Sequence, residues 1–175
     1  MAIDFEGGRI VEVIDQRAFG GELAKVAERF RFQFDGRPWS EGHRGSNRFQ
    51  SIVEFVPPGQ TAQNWSELVT TQRTHDLVSK GVSAKQFVNA MKKNLDDSGV
   101  ENEWRILRDG ENDVLYEWST PGGKAHEAQH EIARVVAGVR DLHRIAYTAK
   151  VQNLPPKDRK KWVKIISRAT LVAQK

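Results

Sequence analysis

The most regular pattern of apolar and polar positions lies between residues 83 and 99. Ser83-Ala84-Lys85-Gln86 has the S-x-x-Q form of a capping box, in which Ser83 accepts from the Gln86 backbone N–H and the Gln86 side chain reaches back. One apolar stripe follows at helical spacing, made of Ala84, Phe87, Val88, Met91 and Leu95. The pattern predicts a helix that ends near Gly99, because glycine readily adopts the left-handed conformation of a helix end.

A second helix is predicted over residues 154–172, "LPPKDRKKWVKIISRATLV". Its two prolines suit the first turn, where a backbone N–H has no helical acceptor to bond. The apolar stripe of this helix consists of Trp162, Ile165, Ile166 and Ala169. We expect this closing helix to pack on a sheet through that stripe and to leave its lysines in solvent.

Aromatic and β-branched residues favour strands in several shorter segments. The predicted strands are 9–14, 48–56 and 64–75, together with a hairpin made of 100–107 and 114–118. The first residues of 64–75 could also form a helical turn.

Three other segments complete the prediction of local structure. Residues 20–30 carry Leu23, Val26, Ala27 and Phe30 at helical spacing and are predicted to be helical. Residues 35–47 are rich in Gly, Pro and polar side chains, which predicts a loop. Residues 130–150 fit either one helix or two strands, because the apolar spacing is helical but the β-branched density is high.

The composition is that of a folded domain. A chain of 175 residues with 38% hydrophobic residues can bury a core of its own. We expect one compact unit, with an N-terminal extension over 1–47 and the main domain over 48–175. No apolar run approaches the ~20 residues of a membrane span, and no signal peptide is visible. A cytoplasmic location is favoured, and an exported form from which a signal was removed is the alternative.

The absence of cysteine excludes disulfides, a thiol nucleophile and thiolate metal ligands. Positive charge is concentrated at the end of the chain. Residues 140–175 contain ten Lys and Arg against two Asp and Glu, a net charge of +8. Within this region, one face of the second helix carries Lys157, Lys160, Lys161, Lys164 and Arg168. Such a face is typical of an anion-binding helix and also of an ordinary amphipathic helix with a solvated side. Because no aromatic RNA-binding motif accompanies it, nucleic acid is possible as a partner but not favoured.

His126-Glu127-Ala128-Gln129-His130 matches the H-E-x-x-H string of zinc proteases, in which His126 and His130 would bind the metal. That chemistry needs both histidines on one turn of helix and a third ligand downstream. No Glu occurs after Glu131, and two residues four apart on a strand would be about 13 Å apart. We therefore predict no zinc and no cofactor, and a zinc hydrolase remains the alternative.

Three tryptophans are candidate binding residues: Trp65, Trp104 and Trp118. Trp104 and Trp118 could line a pocket, but aromatic residues on strands more often belong to the core of a sheet. For Trp65 we favour a turn that carries a buried indole.

Two strings, "EFVPPGQTAQNWSELVTTQ" (54–72) and "HEIARVVAGVRDLHRIAYTAKVQNLPPKDRKKWVKII" (130–166), resemble a group of poorly characterised bacterial proteins. Members of that group carry a V-P-x-G-x-x-x-x-N-W-(S/T)-x-(L/M)-(V/I)-T segment and are similar to the PsbP-like fold. Many members have cysteines, which this chain lacks. The resemblance covers about residues 48–172 and implies an α/β/α sandwich around an antiparallel sheet, with a binding role and no catalytic residues.

Together these observations predict an α+β domain whose antiparallel sheet is flanked by helices, with the closing helix packed on the sheet. Its expected role is non-enzymatic binding of an unknown protein partner or small ligand. An anion or nucleic-acid binder that uses the basic helix is the second hypothesis.

Overall fold

The computed structural model describes residues 2–6, 9–14, 28–124 and 126–173, the first two ranges by their backbone alone. The protein is an α+β domain with two described helices and a large antiparallel sheet. The elements in chain order are β1 (Ala2–Glu6), β2 (Arg9–Ile14), β3 (Glu28–Arg31), β4 (Ser40–Ser46), β5 (Gln50–Val56), β6 (Glu67–Thr74), α1 (Ala84–Asp97), β7 (Glu103–Asp109), β8 (Asp113–Thr120), β9 (Gln129–Ala137), β10 (Leu142–Ala149), α2 (Pro156–Arg168) and β11 (Thr170–Ala173).

The large sheet has seven strands in the order β4-β5-β6-β10-β9-β8-β7, and every neighbouring pair is antiparallel. Strands β4, β5 and β6 form a meander in chain order. Helix α1 then connects β6 to β7, which lies at the opposite edge of the large sheet. From there β7, β8, β9 and β10 return strand by strand until β10 pairs with β6. Two smaller two-stranded sheets pair β1 with β2 and β3 with β11.

The two helices lie on opposite faces of the large sheet. Successive side chains of a strand point to opposite faces, and in β8 Val114 and Tyr116 belong to the apolar cluster that contains α1. Leu115, between them, belongs to the cluster that contains α2. The sheet therefore separates two apolar cores, one under each helix.

The predicted capping box at the start of α1 is confirmed. The Ser83 Oγ accepts from the Gln86 backbone N–H at 3.1 Å, and the Gln86 Oε1 accepts from the Ser83 N–H at 2.9 Å. The apolar stripe of α1 is buried in the core, including Phe87, Val88 and Met91. Two otherwise unsatisfied N–H groups at the helix start are thus bonded by side chains.

The predicted docking of α2 is also confirmed. Trp162 is fully buried, and its ring stacks on Tyr147 of β10 with centroids 3.9 Å apart and an angle of 10°. Ile166 is fully buried and Ala169 nearly so, whereas Ile165 packs at the edge of the core and is only half-buried. Neither described helix is long and apolar enough to span a membrane.

Several predictions of local structure were wrong. Residues 40–46 form β4 rather than part of a loop, because their backbone pairs with β5 despite a sequence poor in strand formers. Residues 170–172 belong to β11 rather than to the closing helix, and residues 28–30 of the predicted helix 20–30 lie in β3. Residues 20–27 lie outside the described part of the chain. β3 and β11 form by pairing with each other over more than a hundred residues of sequence.

The ambiguity over residues 130–150 is resolved in favour of two strands, β9 and β10. A tight turn joins them, in which the Gly138 N–H donates to the Asp141 carbonyl at 2.9 Å. The division of the chain at residue 47 stays a prediction, although β4 joins β5 across it.

Candidate functional site

Helix α2 turns its apolar stripe to the sheet and its basic side chains away from it. Lys157, Lys160, Lys164 and Arg168 are exposed, as predicted from their spacing. Lys161 is half-buried, which corrects the expectation that it lies in solvent. This difference arises because Lys161 faces the chain segment before β4 rather than open water.

A groove of about 640 Å³ runs between α2 and residues 31–34. We call it the basic groove. It is lined by Arg31, Phe32, Gln33, Phe34, Lys161, Lys164, Ile165, Arg168 and Thr170. The structure thus brings three of the five predicted basic residues together with Arg31 from β3. Lys157 and Lys160 are not part of the groove lining.

Charge in the basic groove is only partly neutralised. The Lys161 Nζ lies 3.1 Å from Asp35 Oδ2 and 3.0 Å from Asp158 Oδ1. Burial lowers the pKa of Lys161, but its hydrogen bonds with Asp158 and Asp35 outweigh that effect, so the pKa is raised. Across residues 28–124 and 126–173, Arg31, Lys164 and Arg168 form no ion pair. These three cations remain available to an anionic ligand.

The apolar part of the groove comes from Phe32, Phe34 and Ile165. Phe34 stacks on Trp39 with ring centroids 5.5 Å apart, and Phe32 packs edge-on against Phe34 at 4.9 Å. The predicted binding residues did not include this segment. A signal was present in the alternation of arginine and phenylalanine in "RFRFQF" (29–34), which is typical of a strand with one apolar and one polar face.

None of the three candidate tryptophans lines the basic groove. Trp118 is buried, and its Nε1 donates to Glu131 Oε1 at 3.0 Å. Trp104 is half-buried and stacks on Tyr116 with centroids 4.6 Å apart, on the α1 face of the sheet. Trp65 is half-buried rather than buried as expected, and it lies beneath the Lys150 ammonium, which is 4.9 Å from the ring centroid. The indoles of Trp104 and Trp118 therefore contribute to packing around α1.

The α1 face also contains a buried ionic network. Arg144 Nη2 donates to Glu131 Oε1 at 2.6 Å, and Arg144 Nε donates to the Tyr116 hydroxyl at 3.2 Å. Thr148 donates to the second Glu131 oxygen at 3.1 Å. Burial raises the pKa of Tyr116 to about 12, so this hydroxyl stays protonated at neutral pH. Because its groups satisfy one another, the network holds β8, β9 and β10 together.

The H-E-x-x-H string does not form a helix. His130 lies in β9, and its Nδ1 accepts from the Leu154 backbone N–H at 3.1 Å. Its Nε2 is buried 3.6 Å from Glu117 Oε2. His126 precedes the strand in an irregular segment. The two rings therefore lack the helical arrangement of a zincin, and among the described residues no group of three metal-binding side chains converges. The absence of zinc from the protein stays a prediction.

No protein-family model matches the chain, and a search of curated proteins finds no match. The function is therefore inferred from the geometry and charge of the groove.

Proposed function

We propose that this protein is a non-enzymatic binding domain that holds an acidic segment of a protein partner in the basic groove. The observation that supports this proposal most directly is the set of unpaired cations, Arg31, Lys164 and Arg168, around an apolar floor. Carboxylates of a partner would pair with the cations, while its apolar side chains would bury against Ile165 and the phenylalanines.

An acidic protein segment suits the groove better than a nucleic acid does. Sequence-tolerant binding of single strands uses aromatic rings on which bases stack. Phe34 already stacks on Trp39, and Phe32 packs against both Phe34 and Phe55. In addition, Asp35 and Asp158 neutralise part of the positive charge at Lys161. Nucleic acid is the second candidate, supported by the further cations along α2.

We also propose that the protein has the PsbP-like fold. An antiparallel sheet with one helix on each face is what the resemblance of residues 48–172 implies. A binding role without catalysis is also what that resemblance implies.

The groove can be tested with a fluorescein-labelled acidic peptide in which Glu alternates with Leu, followed by fluorescence anisotropy. The double variant Lys164→Gln/Arg168→Gln should weaken binding about tenfold or more, since each lost charge contact is worth roughly 1 kcal/mol. The matched control is Lys157→Gln/Lys160→Gln, which removes the same charge from the same helix outside the groove. That control should change affinity by no more than about twofold.

A peptide in which Gln replaces every Glu should bind weakly if charge pairing matters. An equal loss of peptide affinity in the two double variants would contradict the groove as the binding site. It would indicate a general attraction of the peptide to the positive charge of α2. Tighter binding of a single-stranded oligonucleotide of equal charge would favour nucleic acid over a protein segment.

A further inference from the structure

A second cavity, of about 410 Å³, lies between β3 and the sheet end formed by β4, β5 and β6. We call it the β3 pocket. Its volume falls in the range of about 300–1,000 Å³ that is usual for small-molecule sites. It shares Phe32 with the basic groove but includes none of the α2 residues. A ligand in the β3 pocket would therefore meet a different set of side chains.

Aromatic side chains form the apolar walls of the β3 pocket. Phe30, Phe32 and Phe55 line it. Phe32 and Phe55 meet edge to face with centroids 6.4 Å apart, and Phe30 meets the His143 ring in the same way at 6.3 Å. Val53 adds an aliphatic surface. Such walls suit a flat apolar ring, because aromatic pairs prefer offset or edge-to-face contacts.

Two side chains of the β3 pocket, His143 and Arg73, have a buried nitrogen without a hydrogen-bond partner. Arg73 is the permanent cation of the two and forms an ion pair with Asp141. Its Nε is buried without a hydrogen-bond partner, and its nearest acid is Asp141, whose Oδ2 is 3.5 Å away. About a third of the Arg73 side chain is accessible. Within the described residues its guanidinium donates no hydrogen bond. A guanidinium offers parallel N–H donors that match the two oxygens of a carboxylate.

The other charged groups around the β3 pocket are already engaged or exposed. Arg44 forms a two-bond pair with Glu41 at the rim. Glu28 Oε2 accepts from the Val139 N–H at 2.8 Å and lies 3.6 Å from His143 Nε2. Arg29 completes the charged lining. Arg44 and Arg73 each lie in an ion pair, with Glu41 and Asp141, whereas Arg29 is exposed and forms no ion pair within residues 28–124 and 126–173.

Ser51 supplies a hydroxyl on the same lining. Its Oγ lies 2.9 Å from the Ser46 Oγ and 3.0 Å from His75 Nε2. The His75 Nδ1 lies 3.3 Å from the Arg48 carbonyl, which can only accept, so in the neutral ring Nε2 accepts the Ser51 proton. Ser51 pairs with Arg73 across β5 and β6, so the two side chains are neighbours.

We propose that the β3 pocket binds a small aromatic carboxylate. The carboxylate pairs with Arg73, and the ring lies among Phe30, Phe32 and Phe55. This site is independent of the proposed peptide groove, since its lining contains neither Lys164 nor Arg168.

Isothermal titration calorimetry of the full chain with 3-phenylpropionate tests the proposal. The uncharged analogue 3-phenylpropanamide should bind about tenfold more weakly, because it lacks the charge that pairs with Arg73. Arg73→Gln should weaken binding of the acid by a similar factor and remove most of the difference between acid and amide. Val53→Phe fills the cavity and should abolish binding of both.

Arg168→Gln is the matched control, since it removes one arginine from the basic groove and leaves the β3 pocket unchanged. Arg168→Gln should weaken binding of the acidic peptide and leave binding of 3-phenylpropionate unchanged. Arg73→Gln should weaken binding of 3-phenylpropionate and leave binding of the peptide unchanged. Circular dichroism of each variant checks that the fold is retained. Equal affinity for acid and amide would overturn the role of Arg73. Binding of inorganic phosphate as tight as that of the acid, or unchanged binding in Val53→Phe, would overturn the pocket as an aromatic carboxylate site.

Discussion

Replacement of Trp162 by Ala tests the docking of α2 on the sheet. The side chain is fully buried between two aromatic neighbours, stacked on Tyr147 and edge-on to Trp39 with centroids 5.7 Å apart. Burying a Trp side chain removes about 150–250 Å² from water. At about 25 cal/mol per Å², that burial stabilises the fold by about 4–6 kcal/mol.

Two further effects modify this magnitude. The Trp162 Nε1 is buried without a hydrogen-bond partner, an arrangement that costs about 1–3 kcal/mol and is relieved by the substitution. The cavity left by Ala adds a loss of packing, because neighbouring rings relax only partly. The expected loss for Trp162→Ala is therefore roughly 3–5 kcal/mol in the free energy of unfolding.

Urea unfolding followed by far-ultraviolet circular dichroism measures this change without relying on the fluorescence of the other four tryptophans. Trp162→Phe is the informative companion, since it keeps an aromatic ring against Tyr147 and removes the unpaired N–H. It should lose clearly less stability than Trp162→Ala. A loss below about 1 kcal/mol for Trp162→Ala would refute the reasoning, because a fully buried indole cannot be removed from a docked helix so cheaply.

The remaining predictions concern capping, buried charge, pH and metal. Ser83→Ala should lower the free energy of unfolding by about 1 kcal/mol in the same urea experiment, and Ser83→Gly by less. Arg144→Met leaves Glu131 buried without its cation and should cost about 3–5 kcal/mol, most of which the double variant with Glu131→Leu should recover. Burial lowers the pKa of His130 below its ordinary value of 6.5, so the unfolded chain binds a proton at this residue more readily than the folded protein does. The contribution of neutral His130 to stability is therefore present above pH 6.5 and is lost as the pH falls below that value. His130→Gln should therefore lose less stability than the parent between pH 7.5 and 5.5 in paired unfolding curves, and a steeper loss would contradict this. Metal analysis of the purified protein should find no stoichiometric zinc, and bound zinc that disappears in His126→Ala would support the hydrolase instead.

Local signals in the sequence were sufficient for α1, α2 and four of the seven strands of the large sheet, β5 to β8. The capping box at Ser83 and the apolar stripe around Trp162, which follows two prolines, each involve residues close together in sequence. Both helices can therefore be predicted without knowledge of the rest of the chain. The hairpin of β7 and β8 likewise follows from two strand-forming segments around a turn at Gly110.

The basic face of α2 could also be predicted, because helical periodicity places Lys157, Lys160, Lys164 and Arg168 away from the buried stripe. Local periodicity could not show that Lys161 meets Asp35, a residue more than a hundred positions earlier. Local periodicity also could not single out Arg73 among the arginines of the chain. The absence of a hydrogen-bond acceptor near the Arg73 Nε is visible only in the folded structure.

The sequence by itself determined the helices α1 and α2, where α1 begins, and which face of α2 is basic, since each depends on side chains one or two turns apart. Only the tertiary structure decided that 40–46 and 170–173 are strands, because backbone pairing with β5 and β3 overrides weak local preference. The basic groove and the β3 pocket were likewise decided by tertiary structure. The basic groove forms where residues 31–34 pack beside α2, and the β3 pocket forms where residues 28–32 pack beside β4, β5, β6 and His143. Contacts between separate elements of this kind leave no periodic signal in the sequence.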